Sequence, residues 1–285
     1  MIPRILGLGT ARPAHAMDQA HAATMAVRRC ADEPRHARML PALYHRTTVE
    51  QRASVLLQPA PQATIDAESL DWYFPSDGPD DRGPTTAGRM ASYLQHAPPL
   101  AAEACRRALE GAGIDARRIT HLVTVTCTGF ASPGVEHELI ERLGLSPDTK
   151  RTQVGFMGCH GALNGLQVAR AMAATEPDAR VLLVCVELCS LHFQYGWHSE
   201  RIVANALFAD GAAAVVVGLD EAADGAWAIR DTASRLFPDA RDAMTWQIGD
   251  HGFEMTLSSR VPSIVRQRLG PWLTEWLGRH GLTIE

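Results

Sequence analysis

The chain has 285 residues, of which 46% are hydrophobic and 21% are charged, a composition typical of a soluble globular protein. Its formal net charge is −5, so it lacks the basic excess of proteins that bind nucleic acid or anionic membranes. We therefore expect neither nucleic acid nor a membrane as a partner. The length accommodates one large domain or two fused halves.

The N-terminal stretch MIPRILGLGT lacks the long apolar core of a signal peptide, and no apolar run reaches transmembrane length. Six cysteines occur at irregular spacing, several of them inside apolar runs. This pattern favours reduced, buried thiols over a disulfide framework. Together these features predict a cytoplasmic protein.

The first hundred residues predict few regular elements. The apolar run at residues 4–9 predicts a short buried strand that ends at a glycine turn. An alanine-rich stretch from about Asp18 to Arg29 predicts a helix. The segment from about Gln58 to Thr86 is rich in Pro, Asp and Gly, which predicts a surface loop rather than a linker between domains.

From Pro99 onward, strands and helices are predicted to alternate. Strands are predicted at residues 121–128, 151–156, 180–188 and 212–219, and helices at residues 100–113, 135–144, 163–175 and 199–208. Alternation of this kind, with strongly apolar strands, is typical of an α/β fold around a buried central sheet. A strand at 227–237, an amphipathic helix at 261–278 and the start of another strand at GLTIE complete the predicted elements.

Residues 155–165, GFMGCHGALNG, place a cysteine between glycines at a predicted strand-to-helix turn. In that position Cys159 lies near the positive end of the helix dipole and near backbone N–H groups, which favour the thiolate. The same N–H groups are suited to hold the oxyanion that forms when a thiolate attacks an acyl carbonyl. The alternative interpretation is a small buried cysteine at a tight turn, and the local sequence leaves both open.

Two further features do not by themselves decide a role. Phe208, in the run LFADGAAAVVVG, belongs either to the core or to the wall of a cavity that leads to Cys159. Four side chains of metal-ligating type lie close together in sequence: Cys185, Cys189, His192 and His198. Their spacing matches no tight zinc pattern, so we expect no metal site.

Several stretches in fixed order together resemble a known family. They are GLGTARP at 7–13, GPTTAGRM at 83–90, CTGFASPG at 127–134, GFMGCHGALNG at 155–165, VELCSLHF at 186–193, LFADGAAAVVVG at 207–218 and GDHGFEMTLSSRVPSIV at 249–265. This set resembles the type III polyketide synthases, the chalcone and stilbene synthase family, and is most similar to its bacterial branch.

The resemblance implies a thiolase-like fold, in which two similar halves pack into αβαβα layers. We expect residues 1–220 to form the N-terminal half with the nucleophilic cysteine, and residues 221–285 to form the start of an incomplete second half. The resemblance also implies a homodimer, with the loop around Ser132 near the partner's cavity. It implies no cofactor, because coenzyme A thioesters are the substrates.

The resemblance also implies roles for individual residues. Cys159 matches the nucleophile that accepts the starter acyl group, and Phe208 matches a gatekeeper between the coenzyme A tunnel and the cavity. Arg46 falls at a basic position that contacts the coenzyme A phosphates. The positions that line the cavity are matched by Cys127, Thr128, His192 and Met255.

Two catalytic motifs of the family are absent from the sequence, namely His-Pro-Gly-Gly-Pro and Gly-Asn-Met-Ser-Ser. In the family their histidine and asparagine orient the malonyl thioester and stabilise the enolate that decarboxylation leaves. We expect the chain to be a piece of a longer protein and, by itself, to be incomplete for catalysis. The alternative is a natural paralogue that does not condense.

The predicted function is therefore that of an acyltransferase, which loads an acyl-CoA starter on Cys159 and extends it with malonyl-CoA. One alternative is a ketoacyl synthase III-like enzyme with the same fold and nucleophile and a carrier-protein partner. Another is a non-catalytic α/β binding module in which Cys159 belongs to the core. The glycine-rich context of Cys159 and the GPTTAGRM stretch favour the first.

Overall fold

A computed structural model describes residues 1–57, 76–78, 80–220 and 225–284. Most of the segment that was predicted as a surface loop lies outside these residues. Its described part, up to Pro84, forms no helix or strand.

The described strands are β1 (Arg4–Ala11), β2 (Ala16–Asp18), β3 (Gln51–Ala53), β4 (His121–Thr126), β5 (Lys150–Gly155), β6 (Arg180–Leu188), β7 (Asp210–Gly218), β8 (Trp227–Ala228), β9 (Met244–Gly249) and β10 (Gly252–Leu257). The described α-helices are α1 (Gln19–Cys30), α2 (Pro34–Arg46), α3 (Thr86–Ala112), α4 (Val135–Leu143), α5 (Gly161–Thr175), α6 (Arg201–Leu207) and α7 (Val261–Gly278).

Six strands form the central sheet in the order β5-β4-β6-β7-β1-β8. Strand β4 runs parallel to both β5 and β6, whereas the β6–β7, β7–β1 and β1–β8 pairs are antiparallel. The sheet is therefore mixed, as the predicted α/β class allows. Strands β2 and β3 pair with each other, and β9 and β10 form a separate antiparallel hairpin.

Helices cover both faces of the central sheet. On one face α3 packs against β1, β6 and β7, and on the other α5 packs against β4, β5, β6 and β7. Alternate strand residues divide between two apolar clusters: Leu122 and Leu182 lie in the cluster with α3, whereas Val123 and Leu183 lie in the cluster with α5. This period of two explains why the strand sequences are apolar at nearly every position.

The prediction that the first strand ends at a glycine turn is wrong, because β1 continues to Ala11. Gly7 and Gly9 instead allow α3 to approach the strand closely. A Cβ atom on Gly7 would overlap the backbone at Ala108, and one on Gly9 would overlap the backbone at Ala104. The glycines serve packing rather than a turn.

Helix α3 begins fourteen residues earlier than predicted. The predicted helix began at Leu100, directly after Pro98 and Pro99, yet both prolines lie inside the helix. The N-terminus is capped by Thr85, whose side-chain oxygen accepts a hydrogen bond from the Gly88 N–H at 3.3 Å. The C-terminus ends as predicted at a glycine, Gly113, with φ of 62°.

The C-terminal elements differ most from the prediction. The strand predicted at 227–237 covers only Trp227–Ala228, and the described residues of GLTIE form no strand. The β9–β10 hairpin was not predicted, because its residues are mixed in polarity and only Gly252 and Phe253 among them are buried. The helix predicted at 261–278 is confirmed as α7, although none of its residues is buried.

Candidate active site

Cys159 lies where the sequence placed it, at the turn between β5 and α5. Positive φ angles at Phe156 (54°) and Gly158 (68°) reverse the chain after the strand. A single turn of 3-10 helix, Gly158–His160, then leads into α5. Cys159 is exposed, whereas the other five cysteines are buried or half-buried. Cys159 is therefore not a buried core thiol.

Small residues hold the start of α5 close to the sheet. A Cβ on Gly161 would lie 2.8 Å from a methyl carbon of Val125, and one on Gly165 would lie 2.7 Å from Leu183. The glycines therefore let the N-terminal turn of α5 sit directly over β4 and β6. This packing aims the positive end of the helix and its N–H groups at the space around Cys159.

A cavity of about 630 Å³ opens beside the thiol. Its wall includes six of the predicted site residues: Cys127, Thr128, Cys159, His192, Phe208 and Met255. They come from widely separated positions in the chain, which the fold brings together around one space. A volume of this size suits a small organic ligand.

Arg46 does not join this group. It is exposed at the last residue of α2, and it is not part of the cavity wall. Its predicted contact with the coenzyme A phosphates stays a prediction. Arg52, a few residues later, does line the cavity.

Cys127 braces the turn that carries the nucleophile. Its sulfur accepts a hydrogen bond from the Gly158 N–H at 3.2 Å, one residue before Cys159. Burial raises the pKa of the Cys127 thiol, and the neighbouring Glu187 carboxylate raises it further. Cys127 is therefore held as a neutral thiol that supports the turn.

Glu187 is a residue of the cavity wall that the sequence analysis did not single out. Its carboxylate accepts hydrogen bonds from the Cys127 N–H at 2.9 Å and from the Thr128 hydroxyl at 2.7 Å. Burial raises its pKa, and these hydrogen bonds oppose the rise. The signal for it was a charged side chain inside the apolar run RVLLVCVEL.

His192 is buried, and both of its ring nitrogens are engaged by the backbone. Nδ1 accepts from the Phe253 N–H at 2.9 Å, so Nε2 carries the proton that it donates to the Thr128 carbonyl at 2.7 Å. Burial lowers the pKa of His192 to about 4. The ring stacks on Phe253 with centroids 4.2 Å apart. The neutral imidazole therefore links β10 to Thr128 in the cavity wall.

Phe208 lies at the C-terminal end of α6, and its ring is half-buried in the cavity wall. Its carbonyl accepts a hydrogen bond from Arg52 at 2.9 Å. Met255 lies on β10 beside the hairpin residue Trp246, whose indole N–H donates to the Cys127 carbonyl at 2.7 Å. The unpredicted hairpin thus closes one side of the site.

In the described ranges, no group of three or more His, Cys, Asp or Glu side chains is arranged to hold a metal ion. None of the helices described is both long enough and apolar enough to cross a membrane.

Comparison with known proteins decides the family. Residues 3–221 match the family described as chalcone and stilbene synthases, N-terminal domain. The chain belongs to the chalcone and stilbene synthase family. The resemblance seen in the sequence is thereby confirmed.

Relatives within the family extend the similarity along the chain. The chain is 31% identical over 284 residues to the alpha-pyrone synthesis polyketide synthase-like Pks18 of Mycobacterium tuberculosis, which covers 98% of this chain and 69% of that protein. It is 39% identical over 195 residues to the 1,3,6,8-tetrahydroxynaphthalene synthase of Streptomyces peucetius subsp. caesius. That match covers 67% of this chain and 52% of the other protein.

Solved structures show the same fold. The C-terminal type III polyketide synthase domain of Steely1 from Dictyostelium superimposes with a TM-score of 0.85 at 26% identity, covering 100% of this chain and 77% of that one. PKS-I from the brown alga Ectocarpus siliculosus superimposes with a TM-score of 0.89 at 29% identity, covering 99% of this chain and 74% of that one. The predicted thiolase-like fold is confirmed. The division into halves at residue 220 stays a prediction.

Proposed function

We propose that this family member is an acyltransferase of the type III polyketide synthase kind, with Cys159 as its nucleophile. The observation that carries the proposal is an exposed thiol in the 3-10 turn that leads into α5, open to a cavity of about 630 Å³. Backbone N–H groups of that turn offer hydrogen bonds to an oxyanion. The named relatives are polyketide synthases, which supports the same reaction class.

In the loading step the Cys159 thiolate attacks the carbonyl carbon of an acyl-CoA thioester. The bond from that carbon to the coenzyme A sulfur then breaks, coenzyme A leaves as a thiol after taking up a proton, and the acyl group stays on Cys159. In the extension step malonyl-CoA loses carbon dioxide, and its α-carbon attacks the Cys159 thioester. The Cys159 sulfur leaves, and the lengthened chain is then attached to coenzyme A.

The cavity residues have supporting roles in this proposal. Phe208 gates the passage between the coenzyme A side and the cavity, and Cys127, Thr128, His192 and Met255 shape the space for the growing chain. Arg46 contacts the coenzyme A phosphates. No cofactor is required besides the coenzyme A thioesters, and we propose a cytoplasmic homodimer.

The first prediction tests the loading step. Incubation with hexanoyl-CoA at neutral pH is expected to add one hexanoyl group to the protein, mapped by peptide mass spectrometry to Cys159. Cys159→Ala is expected to abolish the added mass, whereas Cys185→Ala, a half-buried strand cysteine outside the cavity wall, is expected to retain it.

Acylation at another cysteine, or none with any acyl-CoA, would contradict the proposal. A second arm replaces hexanoyl-CoA with a hexanoyl carrier protein. Acylation from the carrier protein alone would favour the ketoacyl synthase III-like alternative. Addition of malonyl-CoA to the loaded protein then measures extension, and we expect neither carbon dioxide release nor product from these 285 residues, because they lack the histidine and asparagine motifs that stabilise the enolate.

A further inference from the structure

The wall of the cavity beside Cys159 is rich in apolar side chains. Five of the nine methionines of the chain lie in it, and the fold collects them from distant parts of the sequence: Met17, Met25, Met157, Met244 and Met255. Further apolar side chains line the space between them, among them Leu56, Phe156, Phe193 and Phe208. A ligand in this cavity therefore meets mainly carbon and sulfur atoms.

The polar side chains that β6, the following turn and the hairpin contribute to the wall have partners within the protein. The Glu187 carboxylate accepts from the Cys127 N–H and the Thr128 hydroxyl, and both ring nitrogens of His192 are engaged by backbone groups. The Trp246 indole N–H donates to the Cys127 carbonyl at 2.7 Å. These hydrogen-bonding groups therefore hold the wall together and are not reserved for a ligand.

The polar side chains on the opposite part of the wall are engaged in the same way. Arg52 donates to the carbonyls of Asn205 at 2.7 Å and Phe208 at 2.9 Å, and its guanidinium is hydrogen-bonded to the Tyr44 hydroxyl. The Asn205 side chain donates to the Gln194 carbonyl at 2.8 Å and accepts from the Gln194 N–H at 3.1 Å. This part of the wall therefore also presents an apolar surface to the cavity.

A wall of this kind favours a ligand without hydrogen-bonding groups, because a polar group that enters it loses water and gains no partner. Methionine side chains are unbranched and flexible, so they adapt to a flexible hydrocarbon chain. We propose that the cavity takes a straight saturated acyl chain, so that the preferred starters are coenzyme A thioesters of medium-length fatty acids. This inference rests on the proposed function for the thioester end and adds the chemistry of the acyl chain.

The test measures binding apart from acylation, by calorimetric titration of Cys159→Ala protein with acyl-CoA thioesters. Butyryl-, hexanoyl- and octanoyl-CoA differ only in chain length, and coenzyme A alone gives the contribution that all three share. We expect octanoyl-CoA to bind roughly fifteenfold more tightly than hexanoyl-CoA, because each buried methylene contributes a factor of about four. Equal affinities along the series would overturn the proposal.

A single hydroxyl group tests the apolar character of the wall. The compound 8-hydroxyoctanoyl-CoA differs from octanoyl-CoA only at the far end of the chain. We expect it to bind roughly tenfold more weakly, because its hydroxyl loses water without gaining a partner. Equal affinities, or tighter binding of the hydroxylated chain, would overturn the proposal.

An aromatic starter tests the preference for a flexible chain. Cinnamoyl-CoA and nonanoyl-CoA have the same number of acyl carbons, but the first is flat and rigid. We expect nonanoyl-CoA to bind more tightly, because its saturated chain buries more apolar surface against the methionines. Equal or tighter binding of cinnamoyl-CoA would overturn the assignment of a saturated chain.

Replacement of methionine by glutamine tests the wall directly, because it keeps the side-chain length and adds an amide that can partner a hydroxyl. Met17→Gln and Met255→Gln are each added to the Cys159→Ala protein, since the two residues lie on β2 and β10, in different parts of the wall. At least one of them is expected to reduce the preference for octanoyl-CoA over 8-hydroxyoctanoyl-CoA to roughly twofold or less. An unchanged preference in both variants would overturn the proposal.

Met39→Gln is the matched control, since Met39 is 54% exposed on α2 and lies outside the cavity wall. It is expected to leave the preference unchanged, and a loss as large as in the wall variants would contradict the assignment to the wall. Acylation of wild-type protein is measured separately. Failure of every acyl-CoA to modify Cys159 would contradict the proposed function, whereas the binding preferences of the Cys159→Ala protein decide the class of acyl chain.

Discussion

The free energy of unfolding depends on pH through His192, whose ring is neutral in the folded protein. Its pKa is lowered from 6.5 to about 4, chiefly by burial and further by the charge of Arg89. The unfolded chain binds a proton on this histidine between pH 6.5 and 4, whereas the folded chain does not. The contribution of His192 to the free energy of unfolding is therefore complete above pH 6.5, and it decreases by about 3 kcal/mol as the pH drops towards 4.

The prediction compares wild type with His192→Asn, which keeps an acceptor for the Phe253 N–H and removes the titration. Denaturant unfolding from pH 7 to pH 4 is expected to show a smaller loss of stability in the variant. The comparison is made as a difference, because burial raises the pKa of Glu187 and of Asp210, and those groups act in the opposite direction. Parallel pH curves would contradict the assignment of a neutral His192.

Among individual site residues, those that lie in recognisable sequence motifs could be predicted. Residues whose importance depends on partners far away in the sequence could not. Cys159 was predicted because its glycines and the following helix are adjacent in sequence. Glu187 was missed because its partners, Cys127 and Thr128, lie about sixty residues earlier.

At the scale of elements, the packing of β1 against α3 gives the next prediction. A Cβ on Gly9 would overlap backbone atoms of α3 at Ala104 and Ala108, which cannot move without shifting the helix. Gly9→Ala is expected to lower the free energy of unfolding by roughly 1–3 kcal/mol. Gly211→Ala on β7 is the control, since a Cβ there meets nothing closer than the Ala11 carbonyl oxygen at 3.7 Å.

Chemical denaturation of both variants measures the difference. A Gly9→Ala protein as stable as Gly211→Ala would contradict the close approach of strand and helix. The same contact explains an error in the sequence prediction. Glycine at a strand end and glycine under a helix look identical in sequence, and only the position of α3 separates the two.

The type of element was easiest to predict for strands that are buried on both faces of the sheet. Strands β4, β6 and β7 lie in the centre of the sheet, so their apolar runs were unambiguous. The prediction began helix α3 only after Pro98 and Pro99, whereas its packing against β1, β6 and β7 accommodates both prolines inside the helix. The β9–β10 hairpin was missed because its residues are half exposed and carry no clear alternation.

At the scale of the whole molecule, the exposed side of β5 supports the proposed homodimer. Within the described structure β5 pairs with β4 alone, so its outer edge offers free backbone N–H and C=O groups. Apolar side chains follow that edge, with Phe156 41%, Met157 45% and Leu163 63% exposed. A second copy of the chain, placed edge to edge, would cover both features. Ser132, which the resemblance places near the partner, is exposed as well.

The last prediction is a solution mass of twice 30.9 kDa for the wild-type chain, measured by light scattering after size-exclusion chromatography. Leu163→Lys is expected to give the single mass, because it adds a charge to the apolar surface of α5 beside the edge without removing a buried contact. Leu236→Lys, at an 81% exposed position outside β5 and α5, is the control and is expected to remain dimeric. A wild-type mass of 30.9 kDa at micromolar concentration would contradict the homodimer, and a dimeric Leu163→Lys protein would place the interface elsewhere.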